Sequence, residues 1–478
     1  MATSFYFYDL ETSGINPREA RIMQFAGQRT DMDLMPIGEP HNVLIKLTED
    51  VVPEPDAILI TGITPQQTIS DGIREAEFLK LFHEEVATPG TIFVGYNTVR
   101  FDDEFMRFLH YRNFYDPYEW QYTDNKSRWD LLDVVRMTRA LRPEGIKWPV
   151  DVKGNPTNRL ELITQHNGIS HEDAHDALSD VRASIDVARL IRDKQPKLFD
   201  FLLTMRTKKE AEKLVTAGQP FLYSSGKYES AYEKTTAVAR LADHPKRQGA
   251  LVFDLRYDPT EFSALTPAEL AVAWRKRRDE PGARLPVKTL QYNRCPAIAP
   301  LGVLDEASSK RLELSIDLIQ ENLQKLAKAN LAPKVLEALE LLDKQQQTSF
   351  LQDELDVDAR LYDNFIGDID KSACRVVRAA DAAELSKLEL TFKDDRLQAL
   401  LPLYKARNYP QSLSDEERVA WEKFRERKLM GGKQNCRLAR FFNRLAEVAQ
   451  RPGLGSREQY LLEELQLYGQ SILPVELD

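Results

Sequence analysis

Two carboxylates stand two residues apart in an aromatic, strand-like run, Phe5-Tyr6-Phe7-Tyr8-Asp9-Leu10-Glu11-Thr12-Ser13-Gly14. Side chains of a strand alternate faces, so Asp9 and Glu11 point the same way. Neighbouring acids on a hydrophobic strand repel each other and resist burial. A hard divalent cation between them relieves both costs, so metal-dependent chemistry is the first expectation. A second acidic group, Asp102-Asp103-Glu104, opens a helical pattern after the strand-like Thr91-Ile92-Phe93-Val94 and a Gly95-Tyr96-Asn97 turn. Helical spacing puts Asp102 with Phe105, Met106 and Leu109, facing inward. It puts Asp103 with Arg107 and His110, facing solvent as an acid of the first turn. The third group is His175-Asp176-Ala177-Leu178-Ser179-Asp180. Asp180 falls one turn into a helix beside the small Ala177 and Ser184, while Asp176 and the Ser170-x-x-Asp173 box compete as its start. A histidine titrates near neutral pH and can take a proton from an attacking water.

Singly, each group has a plain structural reading: a polar strand face, the acids of a helix N-terminus, an exposed histidine. What discriminates is the set and its order along the chain.

The positioning elements are legible as patterns. Strand-like runs lie at 4–10, 22–30, 43–47 and 91–96, and helical patterns near 75–87, 101–112, 130–141, 159–167 and 173–192. Three early strands followed by alternating helix and strand predict an α/β domain with a mixed sheet flanked by helices. Lys194-Gln195-Pro196 marks its end, giving a first domain over 1–196. Residues 197–348 form a second unit, with short β-prone pieces such as Ala250-Leu251-Val252-Phe253 and Val287-Lys288-Thr289-Leu290 and a helix near 267–278. Residues 349–478 read as helical, with capping boxes at Ser414-Asp415-Glu416-Glu417 and Ser456-Arg457-Glu458-Gln459 and a stop at Gly431-Gly432.

Bulk properties set limits. A chain of 478 residues has room for several cores, and a net charge of −10 advertises no polyanion partner, although a basic cleft can hide inside such a sum. Cys295, Cys374 and Cys436 are far apart and form no pair with metal-site spacing, which fits a reducing cytoplasm rather than a disulfide framework or a zinc site. No apolar run approaches the roughly 18 residues of a membrane span. The expectation is a cytoplasmic protein.

The acids and histidine resemble the proofreading-type 3′→5′ exonuclease superfamily, whose pattern is four acids and one histidine on a ribonuclease H-like sheet. Asp9 and Glu11 match its first motif, Asp102 its second, and His175 with Asp180 its third; Thr12 and Gly14 also match. Asp103 duplicates the second-motif acid, so the choice of Asp102 rests on the helix face and the Phe101-Asp102 pairing. Gly62-Ile63-Thr64, the Tyr111–Tyr118 stretch, Ser127-Arg128-Trp129-Asp130, Leu141-Arg142-Pro143, Lys147-Trp148-Pro149, Asn293-Arg294-Cys295-Pro296 and the Tyr404–Pro410 stretch are similar to the bacterial exonuclease I family. That resemblance spans nearly the whole chain. It implies a ribonuclease H-like exonuclease domain, an SH3-like middle domain and a helical C-terminal domain around a groove for single-stranded DNA.

The resemblance also implies a mechanism. Asp9, Glu11, Asp102 and Asp180 hold two divalent ions, with Mg²⁺ expected and Mn²⁺ a substitute, and Asp9 bridges them. His175 is the general base, and 5′-mononucleotides leave a 3′ end processively, in DNA repair and recombination. Contacts to the strand are expected from Glu11, Thr12, Gly14, Tyr96, Asn97, Arg100, Phe101, Arg128, Trp129, Lys147 and Trp148, with Tyr404–Tyr409 and Arg437–Arg444 as further basic-aromatic candidates. The family further implies the acidic tail of the single-stranded DNA-binding protein as a partner, with Arg142 one contact, and a monomer with no membrane association. Two alternatives stay open. One is the same chemistry on RNA ends or in polymerase proofreading; the other is an inactive single-strand-binding scaffold.

Overall fold

The computed structural model describes residues 3–171, 176–277, 279–350, 356–432 and 435–474. Its first sheet has strands β1 (Ser4–Thr12), β2 (Ile22–Thr30), β3 (Pro36–Leu44), β4 (Thr91–Gly95) and β5 (Ser127–Asp130), in the order β3-β2-β1-β4-β5. β1, β2 and β3 pair antiparallel, whereas β4 and β5 join parallel to β1, so the sheet is mixed as expected. Alternation along β1 divides the core. Phe5 and Phe7 pack with the helices Leu131–Leu141 and Ala177–Lys194, while Tyr6, Tyr8 and Leu10 pack on the other face with Phe78, Phe82 and Phe105.

Two strands of this sheet differ from the sequence patterns. The third strand runs Pro36–Leu44, rather than over 43–47. It is a mostly exposed edge, where Pro36 and Pro40 cost no buried ladder bond and the hydrophobic signal is weak. Residues 127–130 form a short edge strand ahead of the helix Leu131–Leu141, although the pattern reads as helix from 130. Asp130 makes the switch by capping that helix, its carboxylate accepting from the Leu132 N–H at 3.1 Å.

The middle unit is built on a second, fully antiparallel five-stranded sheet. Its strands are β6 (Phe221–Ser224), β7 (Thr235–Asp243), β8 (Gly249–Asp254), β9 (Val287–Gln291) and β10 (Ala297–Pro300), in the order β10-β6-β7-β8-β9. The helix Pro267–Arg275 starts at a Thr266/Glu269 capping box.

The remainder is helical. Ser414 and Glu417 form the expected capping box, and Gly431 follows the last helical residue of Asp415–Met430. The next box lies one residue earlier than expected: Gly455 is the cap, and Glu458 accepts its N–H at 3.0 Å. Two features hold these helices against the first domain. Met23, Ile58 and Ile63 pack with Phe441, Leu445 and Leu461. A buried charge cluster also joins Arg21 and Asp50 to Asp358, Arg407 and Lys428. Among the described residues no helix is long and apolar enough to cross a membrane.

Candidate active site

Asp9 and Glu11 leave β1 on the face that carries Phe5 and Phe7, toward the helix Ala177–Lys194. The pairing register slips between Glu11 and Thr12, and this bulge ends the regular ladder beside the acids. Beyond it the Thr12 hydroxyl donates to Gly14 O at 2.8 Å, and the Ser13 N–H donates to Arg21 O. A Cβ on Gly14 would lie 2.5 Å from the Glu54 carboxyl, so the turn is closely packed there.

The long helix enters with Asp176 as its cap, its carboxylate accepting from the Ser179 N–H at 3.0 Å, which settles the competition for the helix start. One turn on, Asp180 meets the strand acids: one carboxylate oxygen each from Asp9, Glu11 and Asp180 lies within 4.8 Å of the others. Asp180 also accepts from His171 Nε2 at 2.6 Å. His175 lies outside the described residues.

The helix Asp102–Arg112 brings the fourth acid. β4 runs into Gly95, where a Cβ would lie 2.0 Å from Thr98 Cγ2 and 2.8 Å from the Tyr8 carbonyl oxygen. The chain then turns through Asn97 at φ 75°, with the Asn97 and Val99 N–H groups donating to Asp130 at 3.0 and 3.3 Å. Asp102 and Asp103 separate onto the two sides of the sheet. Asp102 acts electrostatically on Asp9, whereas Asp103 accepts from the Tyr8 hydroxyl at 2.6 Å and pairs with Arg128. Asp102 is 4% exposed, so its inward placement holds, but Phe105, Met106 and Leu109, which share its helical spacing, pack on the Tyr8 side. The outward, solvated reading of Asp103 is corrected: Asp103 is 1% exposed, and Arg107 and His110 on its face are buried too. Both stripes of the helix are buried on the Tyr8 side of the sheet: Phe105, Met106 and Leu109 pack with Tyr8, and His110 lies against Phe82 and Trp120.

Loss of water and mutual repulsion dominate the electrostatics. Burial, then Asp102 and Asp180, hold the Asp9 carboxyl well above the usual range. Burial, then Asp9 and Asp180, push Glu11 up to about 9. Asp102 is likewise raised, chiefly by burial. Converging carboxylates that favour protons this strongly favour a multivalent cation for the same reason, and their all-oxygen donor set suits Mg²⁺ or Mn²⁺. Asp9, Glu11 and Asp180 are the residues placed to hold one, with Asp102 adjoining.

The expected strand contacts divide by exposure. Lys147 is exposed, and Arg100 is partly exposed although paired with Asp133 at 2.7 Å. Phe101 is half-buried with its ring 4.9 Å from that of Phe105, and Asn97 is half-buried. Tyr96 spends its hydroxyl on Asn158 O at 2.5 Å, and Trp148 its indole N–H on Pro143 O at 2.9 Å. Arg128 is held by Asp103 and by Asn293 O, and Trp129 is 2% exposed between Phe5 and Phe199. Trp129 therefore serves the core in this structure. The same holds for Tyr404, Lys405 and Arg407, which are buried or paired inward, while Arg437 and Arg444 pair with Asp356 and Asp56. Arg142 is half-exposed and pairs with Asp305 at 3.1 Å.

The sequence patterns missed an aromatic shelf where the three units meet. Phe365 is 79% exposed and Tyr362 48% exposed, with Phe365 6.0 Å from the Tyr118 ring. The Tyr362 hydroxyl bonds Glu104, which also pairs with Arg294 at 3.2 Å, and Arg107 lies over Tyr118 at 5.6 Å. Short polar loop residues around Phe365 hide it from periodicity; an isolated aromatic in a charged loop was the available signal. The middle unit adds a cavity of about 330 Å³ where Lys288 lies over Tyr228 and Arg256 over Tyr232.

Comparison with known proteins places this geometry. Residues 6–188 match the exonuclease family model, 206–340 the exonuclease I SH3-like domain and 355–472 the exonuclease I C-terminal domain. Exodeoxyribonuclease I of Haemophilus influenzae is 40% identical over 434 residues, covering 89% of this chain and 90% of that protein. The Escherichia coli enzyme of the same name is 40% identical over 424 residues, 88% of each. Among solved structures, an exonuclease I from Methylocaldum szegediense superposes with a TM-score of 0.91 at 42% identity, covering 98% of this chain and all of that one. A zinc-bound complex of E. coli exonuclease I with single-stranded DNA gives 0.91 at 35% identity, and a complex of exonuclease I with SSB-Ct gives 0.90 at 36%. Each of these covers 99% of this chain and all of the other.

Proposed function

The chain belongs to the exonuclease I family, and on that premise we propose the residues and steps by which it removes nucleotides from the 3′ end of single-stranded DNA. The observation that carries the proposal is the convergence of Asp9, Glu11 and Asp180 within 4.8 Å, with Asp102 acting on Asp9 from the next helix. These acids would hold two divalent cations, Mg²⁺ by preference. When bound, such a pair supplies positive charge to the attacking water and to the departing oxygen. His175 takes the proton of that water. Asp176 keeps the helix of Asp180 in place by capping it, and the bulge after Glu11 turns the Thr12–Gly14 backbone toward the end of the strand.

Strand binding draws on all three units. Arg100 and Lys147 lie in the first unit, Arg294 in the middle one and the Tyr362/Phe365 shelf in the third, and such aromatic and cationic groups suit stacked bases and a phosphate backbone. Engaging one strand from three units supports processive digestion. The relatives' complexes with single-stranded DNA and with SSB-Ct support the same two partners for this chain, with Arg142 a contact for the second. We place the domain boundaries near 196 and 348, which leaves each sheet whole; the second falls just before the end of the helix Leu331–Phe350. Rates on 5′-labelled single-stranded DNA, duplex DNA and RNA, with and without Mg²⁺, test the proposal. Single-stranded DNA should be shortened from its 3′ end only with the cation; equal rates on RNA, or rates indifferent to chelator, would refute it.

A further inference from the structure

His171 and His175 both stand within ten residues ahead of Asp180, and His171, the one the structure describes, does something other than abstract a proton. His171 Nε2 lies 2.6 Å from Asp180 Oδ1, and its ring is only 4% exposed. The opposite nitrogen, Nδ1, is 3.1 Å from the Thr164 hydroxyl. Thr164 is fully buried in the helix Leu160–Asn167, with its hydroxyl also near the Leu160 and Glu161 carbonyls at 3.1 and 2.9 Å. The imidazole is thus pinned at both ends, by a buried hydroxyl and by a carboxylate. An ionised carboxylate only accepts hydrogen bonds, so Nε2 carries the hydrogen and donates it to Oδ1. A ring nitrogen that gives its hydrogen to a neighbouring carboxylate has no lone pair to turn toward a water.

We propose that His171 is a positioning residue: through the Thr164–His171–Asp180 chain it fixes the rotamer of Asp180 and so sets its distance from Asp9 and Glu11. This rests on the reading of those acids as the metal site. The geometry explains why such a brace is needed. Asp9 and Glu11 are fixed by the strand ladder, but Asp180 stands on a separate helix and is repelled by both. A hydrogen-bond donor on its far side holds the carboxylate in place against that repulsion. Partners that orient metal-binding side chains typically change metal affinity by about 10- to 100-fold when removed.

The test titrates Mn²⁺ into the full-length protein by calorimetry and by the loss of the free-ion electron-spin resonance signal. The variants are His171→Leu, His171→Gln and Thr164→Val, with Asp9→Asn as the control that removes a ligand. Gln offers an amide N–H near the position of Nε2, and Leu fills the space without a donor. His171→Leu should weaken Mn²⁺ binding about 10- to 100-fold. His171→Gln should restore most of the affinity and of kcat, and Thr164→Val should fall between them, all with KM for DNA unchanged. Unaltered Mn²⁺ affinity in His171→Leu overturns the inference, whether kcat falls or not. A His171→Gln variant as inactive as His171→Leu, with metal affinity intact in both, would make the ring a proton carrier instead. If the unmodified protein itself takes up no Mn²⁺ in a way that depends on Asp9, the metal reading fails first and this inference with it.

Discussion

Replacing Glu11 with Gln removes a titrating carboxyl from a site where burial and then the neighbouring acids Asp9, Asp180 and Asp176 raise its pKa from 4.5 to about 9. The sign follows from which state binds the proton. Below pH 4.5 Glu11 is protonated both folded and unfolded, and its ionisation contributes nothing. Above that pH the unfolded chain releases the proton while the metal-free folded protein retains it, so stability declines as pH rises and levels off near pH 9. At pH 7.5 the interval is three units, which at 1.36 kcal/mol per unit is an upper bound of about 4 kcal/mol. Water entering the site and relaxation of Asp9 and Asp180 reduce this to about 2 kcal/mol. A first domain of this size converts that into a rise in Tm of roughly 4–8 °C for Glu11→Gln over wild type. The assay is thermal unfolding in EDTA at half-unit steps from pH 4.5 to 8.5. The two curves should meet at the acid end and diverge steadily, with the variant more stable. Saturating Mg²⁺ should reverse the order, because the ion stabilises only the protein with the full set of acids. Parallel curves, or a gap that persists at pH 4.5, would refute the claim that repulsion among the carboxylates destabilises the metal-free fold.

Three further outcomes test separate parts of the structure. Asp102→Asn should lower kcat on the order of a hundredfold with unfolding unchanged, whereas Asp103→Asn strands Arg128 and should cost about 3 kcal/mol of stability, read by denaturant titration alongside steady-state rates. Phe365→Ala removes a stacking face worth about 1–2 kcal/mol, a roughly tenfold loss of affinity for a long single strand by fluorescence anisotropy; hydrolysis of a dinucleotide, too short to reach the shelf, should keep its rate. Asp358→Asn leaves Arg21, Arg407 and Lys428 short of a counter-charge and should destabilise the joint between the first and last units by about 3 kcal/mol, seen as earlier proteolysis between them. The Asp358 carboxyl is held well below the usual range by Arg407, Lys428 and Arg21 against the cost of burial. Its contribution is therefore complete above the ordinary carboxylate range and is lost only in strong acid.

Helical spacing grouped Asp102 with Phe105 and Met106, which pack on the Tyr8 face, and did not by itself turn it toward the acids. Period-2 alternation in β1 was enough to put Asp9 and Glu11 on one face, because it rests on local geometry that tertiary context did not overrule. The mixed sheet was legible for the same reason. The edge strand Pro36–Leu44 was not: an exposed strand has no hydrophobic face to advertise it. Residues 127–130 were hidden differently, since four residues leading straight into a helix show no period of their own. The inward-turned arginines and lysines, Arg128, Lys405 and Arg407 among them, show the limit for charged residues. Spacing marks them as surface, and only the partner chosen by the fold, Asp103, Glu417 or Asp358, reveals that they are buried.

Asp102 and Asp103 carry that argument furthest. Adjacent residues at a helix start differ by about 100° around the axis, and the helix sits at the end of β4, beside the edge that separates the two faces of the sheet. Tyr8 and Asp9, adjacent on β1, point to opposite faces as well. The two pairs therefore sort together: Tyr8 with Asp103 on the face packed against Phe105 and Met106, and Asp9 with Asp102 on the face toward the long helix. A one-residue slip of β1 against β4 would exchange the partners, placing a tyrosine among the acids and a carboxylate beneath the aromatic layer. The bond between Tyr8 and Asp103 thus does for the sheet register what His171 does for Asp180: it holds, from outside the site, the geometry in which the acids converge.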